Sequence, residues 1–130
     1  MPVNDRAALI DEFSAAWGAK DLDALMELMA PDCEFGASLG PGPGTRFVGR
    51  DEVRRGYGLF LAPSDGPEPE AHNAAPLIDE DFAVTRWSLR WPQQDGSAVE
   101  VRGCDVFEFE GDRIRSKDTY RKTQGELPSG

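Results

Sequence analysis

Residues 99–113, VEVRGCDVFEFEGDR, place a carboxylate where a half-buried strand should carry apolar side chains. Side chains along a strand alternate between its two faces, so every second residue shares a face. Asp105 falls in the apolar row, which otherwise contains Val99, Val101, Gly103, Phe107 and Phe109. A buried carboxylate without a partner is costly. We therefore expect Asp105 to lie at a bulge, to pair with a basic neighbour, or to line a ligand cavity.

The preceding strand offers a basic partner for this carboxylate. Residues 82–91, FAVTRWSLRW, are followed by Asp95-Gly96, a pair typical of a two-residue hairpin turn. That turn would place Arg86 directly opposite Asp105, with Ser88 on the same face. Arg86 and Asp105 are thus predicted as the catalytic pair, and an ordinary cross-strand ion pair is the alternative.

The same register places large apolar side chains on the opposite face of this strand. They are Trp87, Leu89 and Trp91. An apolar patch on an outer sheet face is typical of a contact with another protein. We therefore predict that the chain forms a homodimer through this face.

The other patterns predict three helices and a sheet. The helices are expected at residues 4–18, 22–30 and 51–62, and the strands at 33–38, 74–79, 82–91, 99–109 and 113–122. Asp21 is the predicted cap of the second helix, and Pro31 ends it. Residues 63–73 are interpreted as a linker. Helices followed by an antiparallel meander predict an α+β fold.

The composition indicates one acidic globular domain. The 130 residues, 39% of them hydrophobic, suffice for a core and a small pocket. The net charge of −10 repels phosphate backbones and anionic lipid, so neither nucleic acid nor membrane is expected as a partner. The N-terminus has acids where a signal peptide has a basic flank, which favours a cytoplasmic protein. Residues 1–125 are assigned to the domain and 126–130 to a flexible tail.

Neither a metal nor a cofactor is expected. A single histidine, His72, rules out a multi-histidine metal cage, and it is expected either on the surface or as a second titrating group. Cys33 and Cys104 lack CxxC spacing and are interpreted as buried free thiols.

Three segments carry a resemblance to a known family: AAWGAKDLDALMELMAPDCEF, FVGRDEVRRGY and GCDVFEFEGDRIRSKDTY. They resemble the SnoaL-like and ketosteroid-isomerase-like domains of the nuclear transport factor 2-like superfamily. The resemblance implies a cone-shaped, curved antiparallel sheet wrapped around three N-terminal helices. It also implies a pocket inside the cone and frequent dimerisation through the sheet.

The resemblance to ketosteroid isomerases implies roles for single residues. Asp105 falls where those enzymes place the carboxylic acid that donates a hydrogen bond to the developing enolate. Tyr57 falls where they have a supporting tyrosine. Their oxyanion-holding tyrosine corresponds to Phe13, and their base corresponds to about Ala37. Steroid isomerisation by that mechanism is therefore not expected.

The resemblance to two other groups of relatives implies further catalytic roles for single residues. Limonene-epoxide hydrolase uses an Asp-Arg-Asp set, of which Arg86 matches the arginine while Ser88 and Thr119 stand in place of the acids. SnoaL-type polyketide cyclases use an acid or base from the late strands, and Asp105 or Asp118 could fill that role. The resemblance points Lys117 and Thr119 inward. A strict two-residue turn at Gly111-Asp112 would instead direct Ser116, Asp118 and Tyr120 inward.

Two functions therefore stay open. The first is a cofactor-independent acid–base enzyme, an isomerase, cyclase or hydrolase, acting on an apolar metabolite with a carbonyl or epoxide group. Asp105 would be its acid or base, and Arg86 would tune Asp105 or stabilise an oxyanion. The second is a ligand-binding or accessory dimerisation module of the same fold. The predicted ligand-binding residues are Phe13, Trp17, Tyr57, Phe60, Ser88, Lys117 and Thr119.

Overall fold

The computed structural model describes residues 2–63 and 65–129. Its helices are α1 (Val3–Gly18), α2 (Leu22–Glu27) and α3 (Arg50–Leu61). Its strands are β1 (Met29–Gly36), β2 (Arg46–Val48), β3 (Glu70–Asn73), β4 (Leu77–Ile78), β5 (Phe82–Pro92), β6 (Ala98–Glu110) and β7 (Arg113–Arg121). Residues 122–129 have neither helix nor strand. Gly130, assigned to the predicted tail, lies outside the described residues, as do Met1 and Ser64 of the predicted domain.

The predicted α+β architecture is confirmed, with N-terminal helices packed on a curved sheet. The strand order is β2-β1-β7-β6-β5-β3, and β4 also pairs with β5. Neighbouring strands are antiparallel, apart from the parallel pair β1 and β7. Of the helices that the structure describes, none combines the length and apolarity needed to cross a membrane.

The second helix ends earlier than predicted. The Asp21 side chain caps it as expected, accepting a hydrogen bond from the Ala24 amide at 3.1 Å. The helix stops at Glu27, and Met29 already pairs with Ile114 of β7. A buried methionine fits the apolar row of a helix as well as that of a strand, so only pairing with β7 distinguishes the two. The predicted linker also contains β3, whose exposed residues give no alternation signal.

The register of β5 on β6 differs from the predicted one by one residue. The loop spans residues 93–97, because the Gln93 amide donates to the Ser97 carbonyl at 2.8 Å and Pro92 pairs with Ala98. Asp95 accepts from the Ser97 amide at 2.9 Å, which closes the longer loop. A one-residue slip moves every side chain to the other face.

This slip overturns two predictions. Thr85, not Arg86, lies opposite Asp105, and Arg86 lies opposite Cys104 on the outer face. The residues predicted for the dimer interface, Trp87, Leu89 and Trp91, belong to the inner face, since they alternate with Arg86 and share the parity of Thr85. Dimerisation itself stays a prediction, but the three residues predicted to mediate it do not lie on the outer face. That face carries Val84, Arg86, Cys104, Val106 and Tyr120.

The parity of β7 depends on a bulge. Gly111-Asp112 does form a two-residue turn, with Glu110 opposite Arg113. The register then shifts, so that Ile114 lies opposite Phe109 but Ser116 lies opposite Glu108. The extra residue restores the parity that the family resemblance implied. The inward set on this strand is therefore Lys117 and Thr119.

An aromatic cluster fills the space between the helices and the inner face of the sheet. Phe13 of α1 lies 5.2 Å from Phe107 and 5.9 Å from Tyr57 of α3, between ring centroids. Phe35 of β1 lies 4.8 Å from Tyr57. These rings are almost fully buried. They join the helices to both halves of the sheet and form a rigid support for whatever lies beside them.

Arg6 connects α1 to two turns of the sheet. Its side chain is 6% exposed, and its Nε donates to the Glu80 carbonyl at 2.9 Å, while Nη1 donates to the Gly111 carbonyl at 2.6 Å. Its guanidinium carbon also lies 4.3 Å from the centre of the Phe109 ring. The arginine thus satisfies turn carbonyls on both sides of the helix and fixes its position on the sheet.

Replacing Arg6 with methionine should lower the free energy of unfolding by about 2–4 kcal/mol, because two hydrogen bonds from a charged donor are lost. Urea unfolding measures this change. Arg54→Met is the matched control, since Arg54 forms a 2.6 Å ion pair with Asp23 at the surface. The control should lose less than about 1 kcal/mol. Equal losses in the two variants would contradict the structural role of Arg6.

Candidate functional site

Three adjacent strands place polar side chains in one row across the inner face of the sheet. Thr85 of β5 is opposite Asp105 of β6, which is opposite Thr119 of β7. The Thr85 hydroxyl lies 2.9 Å from Oδ2 of Asp105, and the Thr119 hydroxyl lies 2.7 Å from Oδ1. Each carboxylate oxygen therefore has a hydroxyl that can donate to it. Both oxygens of Asp105 can therefore act as hydrogen-bond acceptors in this row.

The cation beside Asp105 is Lys117, which lies in the neighbouring row. Its Nζ is 3.8 Å from Oδ1 of Asp105, and the two side chains are 6% and 13% exposed. Among the described residues, Asp105 is the only carboxylate within 4.0 Å of this amine. A distance of 3.8 Å exceeds hydrogen-bond range, so the contact is an ion pair without a direct hydrogen bond.

Aromatic rings surround the amine of Lys117. Its Nζ lies 3.8 Å from the centre of one Trp17 ring, 4.9 Å from Phe35, 5.6 Å from Tyr57 and 5.9 Å from Phe13. Ring faces attract a cation, most strongly for tryptophan. The rings thus replace part of the hydration that the ammonium loses on burial.

Whereas the rings attract the ammonium, burial itself disfavours the protonated form of this amine. It lowers the pKa of Lys117 from the ordinary value of 10.5, because desolvation penalises the charged form. The negative charge of Asp105 opposes this shift without cancelling it. Lys117 is therefore easier to deprotonate than a surface lysine.

A cavity of about 460 Å³ opens onto this pair. Its volume falls within the range of small-molecule sites. Its polar lining on the sheet includes Asp105, Lys117, Thr85 and Thr119, together with Asn73 and Arg121. Its large apolar walls include Phe13, Trp17, Phe35, Phe60, Trp87, Leu89 and Phe107. The cavity thus suits an apolar molecule with a polar group directed at Asp105 and Lys117.

Gly103 allows the ring of Trp87, which lines the cavity, to pack directly on β6. Gly103 lies opposite Trp87, and a Cβ on Gly103 would come within 2.4 Å of the Trp87 ring and of the Tyr120 carbonyl oxygen. The indole therefore rests on the backbone of β6. A glycine among the larger inward-facing residues of β6 indicates in the sequence that another group packs closely there. It does not identify Trp87 as that group.

Most of the predicted ligand-binding residues meet at this cavity. The lining includes Phe13, Trp17, Phe60, Lys117 and Thr119, together with Asp105. The lining residues that sequence reasoning missed include Phe35, Thr85, Trp87 and Leu89. The register error accounts for the three of these that lie on β5. Phe35 carried only a weak signal, because its strand was predicted to be short.

Tyr57 supports the cavity from behind. It is fully buried, and its hydroxyl donates to the sulfur of Met29 at 3.5 Å. Burial, followed by the charges of Cys33 and Asp105, raises the pKa of Tyr57 well above 10. Its ring packs edge-on against Trp17 at 5.4 Å between centroids. Tyr57 thus holds the ring that contacts Lys117 rather than lining the cavity.

Besides Tyr57, two of the predicted site residues lie outside the cavity. Arg86 is exposed on the outer face, where its Nη2 donates to the Ala75 carbonyl at 3.3 Å. Ser88 also lies on the outer face, opposite Arg102 on one side and His72 on the other. The predicted contact between Arg86 and Asp105 is therefore wrong. His72 is exposed, and in residues 2–63 and 65–129 no group of three or more His, Cys, Asp and Glu side chains could hold a metal ion.

Comparisons with known proteins agree with this fold. The family profile described as a SnoaL-like domain matches residues 10–117. An NTF2-like protein of unknown function from Mesorhizobium loti is 25% identical, with 93% of each chain covered and a TM-score of 0.72. The comparison with curated proteins found no match.

Two more distant structures show the fold alone. A candidate ketosteroid isomerase from Kribbella flavida is 16% identical, with a TM-score of 0.72 over 98% of this chain and 85% of that one. A candidate polyketide cyclase from Xanthomonas campestris pv. campestris is 13% identical, with a TM-score of 0.68 over 91% of this chain and 90% of that one.

Raising the pH should stabilise the wild-type protein relative to Lys117→Met. Because the pKa of Lys117 is lower in the folded protein than in the unfolded chain, the unfolded state binds more protons between those two pKa values. The contribution of this group to the unfolding free energy therefore rises with pH through that window, which ends near the ordinary value of 10.5.

Urea unfolding of both proteins at several pH values between 7 and 10 measures this effect. Cys33, Cys104 and Tyr57 titrate in both proteins, so their contributions largely cancel in the difference. The compared quantity is the unfolding free energy of the wild type minus that of Lys117→Met. If this difference stayed constant or fell as the pH rose, burial would not disfavour the ammonium.

Proposed function

Because this chain belongs to the SnoaL-like family, and because a charged pair faces an apolar cavity, we propose that it is a cofactor-independent acid–base enzyme. Its substrate class is an apolar small molecule that carries a carbonyl group. The observation that supports this proposal best is the position of Lys117 and Asp105, 3.8 Å apart at the wall of the cavity.

Asp105 is the base in this proposal. Hydroxyl groups from Thr85 and Thr119 occupy one side of each carboxylate oxygen, and the ammonium of Lys117 adds a positive charge nearby. In this proposal the carboxylate accepts a proton from the substrate rather than donating one. This role differs from the one that the resemblance to ketosteroid isomerases implied, in which the corresponding acid donates a hydrogen bond.

Lys117 supplies the positive charge. Removing a proton next to a carbonyl group moves negative charge onto the carbonyl oxygen, and a cation fixed beside that oxygen lowers the barrier. Lys117 is 5% exposed and lies among aromatic rings, so its charge is weakly screened and acts strongly over a short distance. Lys117 thus takes the role that the sequence assigned to Arg86.

A carbonyl substrate fits these groups better than an epoxide. Opening an epoxide with water needs a second group to activate the water, as the acid pair of the hydrolases does. Here Thr119 donates to Asp105 at 2.7 Å, and Ser88 lies on the other face. Proton transfer at a carbonyl compound requires only one base and one oxyanion partner, the roles that this proposal assigns to Asp105 and Lys117.

The alternative is a ligand-binding module without chemistry. Phe13 and Ala37 stand where the resemblance to ketosteroid isomerases expects a tyrosine and a base, and this difference favours the alternative. In that case Lys117 and Asp105 would fix the orientation of a bound carbonyl or hydroxyl group. Binding without turnover separates the two functions.

Proton exchange at a carbonyl compound tests the proposal. Phenylacetone in D₂O should exchange its acidic C–H protons faster with the wild-type protein than in buffer, as followed by proton NMR. Asp105→Asn should lower the enzyme-dependent rate by about 10²–10⁴-fold, the usual contribution of a general base. Arg102→Ala, which removes a cation from the outer face of the same strand, should leave the rate unchanged.

The outcomes of this experiment distinguish the two functions. Saturation-transfer signals of bound phenylacetone without faster exchange would support the binding module. Exchange that persists undiminished in Asp105→Asn would remove Asp105 from the mechanism and contradict the proposal.

A further inference from the structure

The amine of Lys117 differs from the other lysine amines of the chain by its surroundings. The sequence has three lysines, Lys20, Lys117 and Lys122. Lys20 is exposed and pairs with Glu68 at 3.0 Å, and Lys122 is exposed in the segment after β7. Lys117 alone of the three lines the cavity, with 5% of its surface exposed. A primary amine in such a place can react with a ligand rather than only attract it.

We propose that Lys117 is a covalent site for apolar aldehydes and unhindered ketones, which it binds as a protonated imine. This inference rests on the proposed function in one respect, namely that the cavity admits a carbonyl compound. It goes further in assigning the reacting atom, Nζ of Lys117, and the bond that this atom forms.

The step balances with the groups at hand. Asp105 takes one proton from the ammonium, and the freed lone pair of Nζ attacks the carbonyl carbon. The carbonyl electron pair moves to oxygen, which takes the second proton from nitrogen and becomes a hydroxyl group. Asp105 then returns its proton to that hydroxyl, the C–O bond breaks, and water leaves. The sum converts an ammonium and a carbonyl compound into a protonated imine and water.

The geometry favours each stage of this step. The 3.8 Å between Nζ and Oδ1 brings the proton acceptor near the amine and leaves room for the new bond. Desolvation of the amine favours its neutral, nucleophilic form.

The product also suits its surroundings. A protonated imine keeps one positive charge between Asp105 and the ring of Trp17, so the buried negative charge never loses its partner. The aromatic walls limit the access of water, which would hydrolyse the imine. Among the described residues, the titratable groups beside Nζ are Asp105 and Tyr57, whose ring centre lies 5.6 Å away. Asp11 and Arg121 also line the cavity.

Reductive trapping tests the inference directly. The protein is incubated near pH 7 with benzaldehyde and sodium cyanoborohydride, which reduces an imine to a stable secondary amine. Peptide mapping by mass spectrometry then compares benzylation at Lys117, Lys20 and Lys122. Lys117 should be modified at least about tenfold faster than the exposed lysines, because Asp105 assists both proton transfers.

Two variants provide the controls. Lys117→Arg keeps a cation but cannot form this imine, and it should lose the fast modification. Asp105→Asn should slow the modification of Lys117 while leaving Lys20 and Lys122 as in the wild type. Circular dichroism shows whether each variant folds. The wild-type comparison of three lysines stands even where a variant does not fold.

Benzaldehyde has no proton that could exchange, so this experiment is independent of the exchange assay. Modification of Lys117 at the rate of the exposed lysines would overturn the inference, and exchange of phenylacetone would then still support the proposed function. Fast modification of Lys117 without any exchange of phenylacetone would establish the covalent site and contradict proton abstraction by Asp105.

Discussion

The ammonium of Lys117 and the carboxylate of Asp105 can be buried only together. Either charge alone would cost several kcal/mol to remove from water, and the attraction between them recovers part of that cost. The hydroxyl groups of Thr85 and Thr119 and the ring of Trp17 supply the remaining contacts. These groups come from four elements, so the arrangement of β5, β6, β7 and α1 determines whether the pair exists.

Pairing register is what brings the charged groups to one face. On β6 the alternation alone places Asp105 inward, and the sequence shows this without any partner. On β7 the inward position of Lys117 depends on the shift between Ile114 and Ser116, because the two-residue turn by itself would expose it. A single extra residue in a strand thus decides whether the cavity contains a cation.

The sequence predicted the α+β fold, Asp105 and much of the apolar lining, because periodicity and family resemblance report those features. It placed the wrong cation beside Asp105. Asp95-Gly96 is typical of a two-residue turn, but the hydrogen bonds from Ser97 to Asp95 close a five-residue loop instead. One of the three expectations for Asp105 was a basic partner. The structure gives it Lys117 instead of Arg86, because the partner depended on a loop length that local residue preferences do not fix.

The pKa of the Lys117 amine tests the central claim most directly. It can be measured by NMR titration of protein labelled with ¹³C at the lysine Cε, in the wild type and in Asp105→Asn. We expect a pKa below the ordinary 10.5 in the wild type and a still lower pKa in the variant, because burial lowers it and the charge of Asp105 raises it. An ordinary pKa that does not respond to Asp105→Asn would show that Lys117 is hydrated and apart from Asp105, which contradicts the proposed site.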